Sequence, residues 1–175
     1  MKRIFVIMML MGTLVLFNSA CSISLNGASI PPDLKTINVE YFENTAPLVV
    51  NYLSQQFTES LKDRIRSTTR LSIVQGEATA RMAGTITGYS IEPISIQATN
   101  NNVAPIAGAQ RLTITVNVTY TTYTNAADKK LNFTQPFSAH ADFTGNISDQ
   151  EQQLITTINK QLTEDIFNRA FANWN

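Results

Sequence analysis

The sequence predicts an α+β domain, a two-layer sandwich in which two amphipathic helices pack on one face of a four- to five-stranded mixed sheet. Three observations carry that reading. Ten consecutive positions alternate in type, with Leu112, Ile114, Val116, Val118 and Tyr120 set against Thr113, Thr115, Asn117, Thr119 and Thr121. That is the pattern of an antiparallel strand with one dry face and one wet face. Leu53, Phe57, Leu61 and Ile65 recur every four residues among Gln56, Glu59, Lys62, Asp63 and Arg66, which makes a helical stripe. Ile155, Ile158, Leu162, Ile166 and Ala170 form a second stripe near the C-terminus. Two such stripes can be buried only against the dry face of a sheet.

Taken in chain order, residues 1–20 read as a signal peptide outside the fold. A bilayer-spanning helix needs about 20 apolar residues. Here only the 14 from Ile4 to Phe17 lie between the basic pair Lys2-Arg3 and the small residues Asn18-Ser19-Ala20, which fits a secretory signal. The chain's one cysteine, Cys21, follows directly, and the junction resembles a bacterial lipobox, with Asn18 where that motif usually has an aliphatic residue. On this reading Cys21 carries a diacylglycerol and an N-acyl chain and becomes the new N-terminus. Each buried methylene contributes about 0.8 kcal/mol and durable anchoring takes more than one chain, so a multiply acylated Cys21 is a stable membrane anchor. A disulfide within the chain is impossible with one cysteine, and Ser22, Ser24, Asn26 and Gly27 are poor company for a buried thiol. Ser22, rather than Asp, follows the cysteine, which points to the outer membrane as destination.

Residues 21–34 read as an acylated tether, kept extended by Pro31-Pro32. Residues 35–175 then form a single domain. Thr36 to Tyr41 alternates as a half-buried strand, and the first helix follows from about Leu48. Leu71 to Val74 is a short strand closed by Gly76, and strand, helix and strand in succession imply a parallel crossover. Ala80 to Gln97 reads as a long strand with Gly84 and Gly88 on the side of Met82 and Ile86, bending at Glu92-Pro93. Residues 98–109, rich in Asn, Ala, Pro and Gly, form a long loop. After the strand from Arg111 to Tyr123 and a turn at 125–130, Leu131 to Phe143 returns with Phe133, Phe137, Ala139, Ala141 and Phe143 on one face. Ser148 and Glu151 have the spacing of a capping box for the last helix, and Trp174 lies just beyond it.

Composition narrows the function. The full chain has 13 basic and 13 acidic residues, and loss of Lys2 and Arg3 with the signal leaves a formal charge near −2. Nucleic-acid binding by charge is thereby excluded. Charged residues make up only 15% of the chain, against about 25% in typical domains. Thr, Asn, Gln and Ser supply the polarity, so the surface is wet and nearly uncharged.

Catalytic signals are sparse. His140 is the one histidine and alternates outward with Ser138 and Asp142. Asp142 could orient it as a base, but no nucleophile in a special context accompanies it, and a metal site needs further ligands. Arg111, Lys129 and Lys130 fall near the ends of one strand, where they either contact an anionic ligand or serve as ordinary edge and turn residues. Thr113, Thr115, Asn117 and Thr119, together with Tyr89 and Tyr123 read as outward-facing, are candidates for a partner interface.

The tether "SLNGASIPPDLKTINVEYFEN", the helix "LSQQFTESLKDRI", the segment "GTITGYSIEPISI", the strand "QRLTITVNVTY" and the terminal "LTEDIFNRAFANWN" together resemble the LptE family of lipopolysaccharide-assembly lipoproteins, in a divergent branch. The resemblance runs from Cys21 to Asn175. It implies a non-enzymatic outer-membrane protein without cofactor, lipid-anchored on the periplasmic side, with two helices on a four-stranded sheet. It also implies that the protein plugs the lumen of the LptD barrel, assists barrel assembly and helps deliver lipopolysaccharide to the cell surface. A weakly charged, Thr/Asn-rich sheet face suits the polar interior of a β-barrel. Two other readings compete: a lipoprotein holding a lipid or peptide in a groove between helices and sheet, and a periplasmic hydrolase using His140.

Overall fold

The protein's structure, a computed structural model, describes residues 30–48, 50–94, 108–124 and 131–172. Residues 1–20, Cys21, most of the tether and of the 98–109 loop, the turn with Lys129 and Lys130, and Trp174 lie outside the described residues. The elements are β1 (Thr36–Val39), β2 (Glu43–Asn44), α1 (Leu53–Thr68), β3 (Ser72–Ile73), β4 (Ala80–Pro93), β5 (Ala109–Thr122), β6 (Phe133–Thr144) and α2 (Glu151–Phe171).

The strands form one mixed sheet in the order β3-β1-β4-β5-β6, with β2 also beside β4. β1 pairs in parallel with β3 and β4, while β4, β5 and β6 are antiparallel. The sheet has six strands rather than four or five. The extra one, β2, is two residues long and too short to show a period. The parallel pairing of β1 with β3 around α1 is the expected crossover.

Both helices lie on the dry face. Leu112, Ile114, Val116, Val118 and Tyr120 are fully buried, as are Leu53, Phe57, Leu61 and Ile65 of α1 and Ile155, Ile158, Leu162 and Ile166 of α2. At about 1.5–3 kcal/mol for each large apolar side chain, this burial dominates stability. Between the helices, Tyr52 meets Glu151, Gln56 meets Thr156 and Arg64 meets Glu164. The contacts advance together along both chains, so the helices run parallel. β4 and both helices accordingly have opposite directions: Tyr89, late in β4, meets the start of α2, and Tyr120, late in β5, packs against Phe171 at its end.

Two local expectations are corrected, and one runs beyond the described residues. The register of β4 against β5 passes from Ile86↔Val116 to Gly88↔Thr115, leaving Thr87 as an extra residue. This bulge reverses the alternation. Gly88 therefore joins the wet face beside Thr115, and Tyr89 turns into the core, paired with Ile114. Gly84 does stay on the dry side, where an added Cβ would run into the Asn117 carbonyl oxygen and lie 2.7 Å from the Phe42 ring. Secondly, the described part of β4 closes at Pro93, and residues 95–97 of the expected strand lie outside the described residues. Thirdly, the capping box does not form. Ser148 sits in a short 3-10 turn, Ile147–Asp149, and donates its N–H to Asn146 Oδ1 at 3.1 Å. Glu151 opens α2 but turns toward two tyrosines.

Candidate functional site

The sheet face opposite the helices is covered by nothing among the described residues. Strand pairing orders its side chains in rows. Thr115 Oγ1 and Ser138 Oγ are 2.8 Å apart, and Thr119 Oγ1 and Thr134 Oγ1 are 3.0 Å apart. Thr113 lies opposite His140 and Asn117 opposite Pro136. At one end, Arg111 donates Nε to Asp142 Oδ1 at 2.7 Å and Nη2 to Oδ2 at 3.0 Å. Toward the other end, Arg81 Nε donates to Glu40 Oε1 at 2.7 Å. Beyond it Tyr123 stands 60% exposed.

The consequence is a polar surface on which Thr115, Thr119, Arg111 and Arg81 are already partnered sideways. Hydroxyls pair with hydroxyls, and guanidinium groups with carboxylates. The bonds from Arg111 hold the Asp142 carboxyl below the ordinary carboxylate range. Covering such a face costs less than covering isolated charges, because each paired group keeps a partner when water leaves.

Thr113, Thr115, Asn117 and Thr119 share this face, and Tyr123 lies at its margin. Tyr89 does not join them. It is 5% exposed and its hydroxyl donates to Glu151 Oε1 at 2.7 Å. Burial, then the bond to Glu151, pushes its pKa up. Tyr52, just before α1, donates to the other oxygen of Glu151 at 3.2 Å, so one carboxylate joins β4 to the starts of both helices. Arg111 is not a free cation, since Asp142 occupies both donors named above. His140 is exposed, and Asp142 gives both its oxygens to Arg111 with no hydrogen bond to the imidazole among the described residues. Sequence reasoning missed the Arg111–Asp142 clasp. The hairpin register could have revealed it, for once Tyr120 is set opposite Phe133, Arg111 falls opposite Asp142.

Two grooves flank the sheet. One, of about 620 Å³, lies between residues 30–35 and 67–72. Another, of about 540 Å³, is lined by Asn38, Glu40, Arg81 and Tyr123 among others. Among the described residues, no group of three or more His, Cys, Asp or Glu could hold a metal ion. No helix of the described residues is long and apolar enough to cross a membrane.

Comparison with known proteins decides the family. The family model described as LptE, lipopolysaccharide-assembly, matches residues 34–170, nearly the whole of the described domain. The chain belongs to the LptE family. Its match spans β1 through almost all of α2, so the LptE assignment rests on the folded domain and not on the signal-like N-terminus. Among solved structures, rare lipoprotein B from Shewanella oneidensis is similar with 10% identity, covering 77% of this chain and 92% of that one, at a TM-score of 0.51. A Xanthomonas campestris protein is similar with 9% identity, covering 78% of this chain and 85% of that one, also at 0.51. At such identities the likeness is one of fold alone. No curated protein matches the sequence.

Proposed function

We propose that this LptE-family protein is an outer-membrane lipoprotein, held on the periplasmic side by an acylated Cys21, that occupies the lumen of the LptD barrel. There it assists barrel assembly and helps pass lipopolysaccharide to the cell surface, a non-catalytic role. The observation that carries the reading is the uncovered sheet face, polar yet internally paired, in a chain of the lipopolysaccharide-assembly family. A barrel lumen is polar as well, and Thr113, Thr115, Asn117, Thr119 and Tyr123 are the side chains offered to it. Arg111, Lys129 and Lys130 are the cations proposed to meet lipopolysaccharide phosphates, Arg111 by exchanging Asp142 for the ligand.

The experiment is affinity purification of the acylated protein from gently solubilised membranes, followed by identification of what comes with it. Co-purification of a large β-barrel, and lipopolysaccharide retained in the periplasm on depletion, are the expected results. A protein recovered alone, from cells whose surface lipopolysaccharide is unaffected by its depletion, overturns the reading.

A further inference from the structure

The two ends of the sandwich differ in charge. β1 and β4 begin, and both helices finish, at the end from which the chain leads back toward Cys21. Among the described residues, that end carries Lys35, Arg66, Arg70, Arg81 and Arg169, offset by Asp33, Glu40, Asp63 and Glu77, so its cations outnumber its carboxylates only slightly. The opposite end carries Glu92, Asp142, Asp149 and Glu151, with Arg111 as the basic residue among them.

The groove of about 620 Å³ lies at the basic end. Ile30, Pro31, Pro32 and Leu34 line one side, and Lys35 and Arg70 are both part of its lining. Both cations are exposed, and neither forms an ion pair among the described residues. Arg66 and Arg81, by contrast, are paired with Asp63 and Glu40. Nine residue steps separate Ile30 from Cys21, a reach of at most roughly 30 Å at about 3.3–3.6 Å per residue. An anchor on Cys21 thus brings this end within reach of the bilayer surface, since the chain joins the domain there. Surface potentials fade within about 8 Å in physiological salt, so only the near end responds to them.

We propose that the groove between residues 30–35 and 67–72 docks on anionic phospholipid headgroups of the anchoring membrane, Lys35 and Arg70 meeting lipid phosphates. The contact orients the domain with its acidic end away from the bilayer and leaves the sheet face free. The inference rests on the acylation of Cys21 proposed above.

The test uses the full mature protein reconstituted with vesicles of phosphatidylcholine alone or mixed with phosphatidylglycerol. Amine acetylation is followed by mass spectrometry at Lys35 and, as a reference on the outer side of α2, at Lys160. Several-fold slower labelling of Lys35 on the anionic vesicles, reversed by salt, with Lys160 unchanged, is the expected result. Arg70→Gln should weaken the contact about fivefold, the worth of one cation at an anionic surface. Stable attachment to both vesicles with equal Lys35 labelling overturns the docking contact and leaves the anchor standing. Failure to attach to either overturns both. An intact mass showing no acyl group on the mature protein overturns the anchor and the orientation built on it.

Discussion

Asn159 is 1% exposed, and neither its Oδ1 nor its Nδ2 has a hydrogen-bond partner among the described residues. It lies in α2 between Ile158 and Leu162, both fully buried. An unsatisfied buried amide costs about 1–3 kcal/mol, so Asn159→Leu, similar in size, should stabilise the fold by roughly 1–2 kcal/mol. A higher urea midpoint with unchanged slope is the measurement; a lower midpoint would show that the amide has an indispensable role. Tyr89 makes the opposite case. Tyr89→Phe keeps the ring packing but removes the donor to Glu151, and should cost about 1 kcal/mol at neutral pH. Its pKa is raised on folding, first by burial and then by Glu151. The resulting stabilisation is fully present below about pH 10, the ordinary tyrosine value, and is lost as pH rises from there through the folded value. Wild type should therefore lose stability more steeply than Tyr89→Phe in alkaline denaturation curves.

At the scale of elements, the periodic segments were legible and the interruptions were not. The stripes of α1 and α2 and the ten-position alternation of β5 are fixed by apolar spacing alone, because any other facing would expose whole rows of Leu and Ile. The Thr87 bulge left no such mark. Ala80 to Ile86 predicts one face and Tyr89 to Pro93 the other, and a sequence with Tyr, Ser and Gly in the doubtful positions permits both phases. Deleting Thr87 removes the extra residue and restores one-to-one pairing, with Gly88 still on the wet face and Tyr89 and Ile91 still on the dry one. The deletion should therefore cost far less than the roughly 3 kcal/mol that turning two large apolar side chains to water would. Thermal unfolding checks it, and a collapse of the midpoint would refute this register. The missing capping box has a related cause. Glu151 has the right spacing from Ser148, yet at the start of two parallel helices, whose aligned dipoles place positive charge side by side, its carboxylate serves both helices through Tyr52 and Tyr89.

Over the whole molecule, a core that holds itself together stands beside a polar face that nothing covers among the described residues, the face proposed to meet the barrel. Asn117→Lys combined with Ser138→Lys tests that proposal. Both positions are exposed, so stability of the isolated protein should change by about 0.5 kcal/mol or less for each. Recovery of the barrel with the protein should fall sharply, because lysines pressed into an interface without partners lose their hydration. Equal recovery with the double variant would remove that face from the interface. By itself the sequence determined the α+β class, the two helical stripes, the dry face of β5 and the weakly charged character of the surface, since burial is dictated by residue type and spacing within a segment. The tertiary structure alone decided that Tyr89 is a core residue, that Asp142 belongs to Arg111 and not to His140, and that Glu151 ties both helices to β4. Each of these depends on which distant residues a register, a bulge or a parallel helix pair brings within hydrogen-bond reach, and local periodicity carries no information about such encounters.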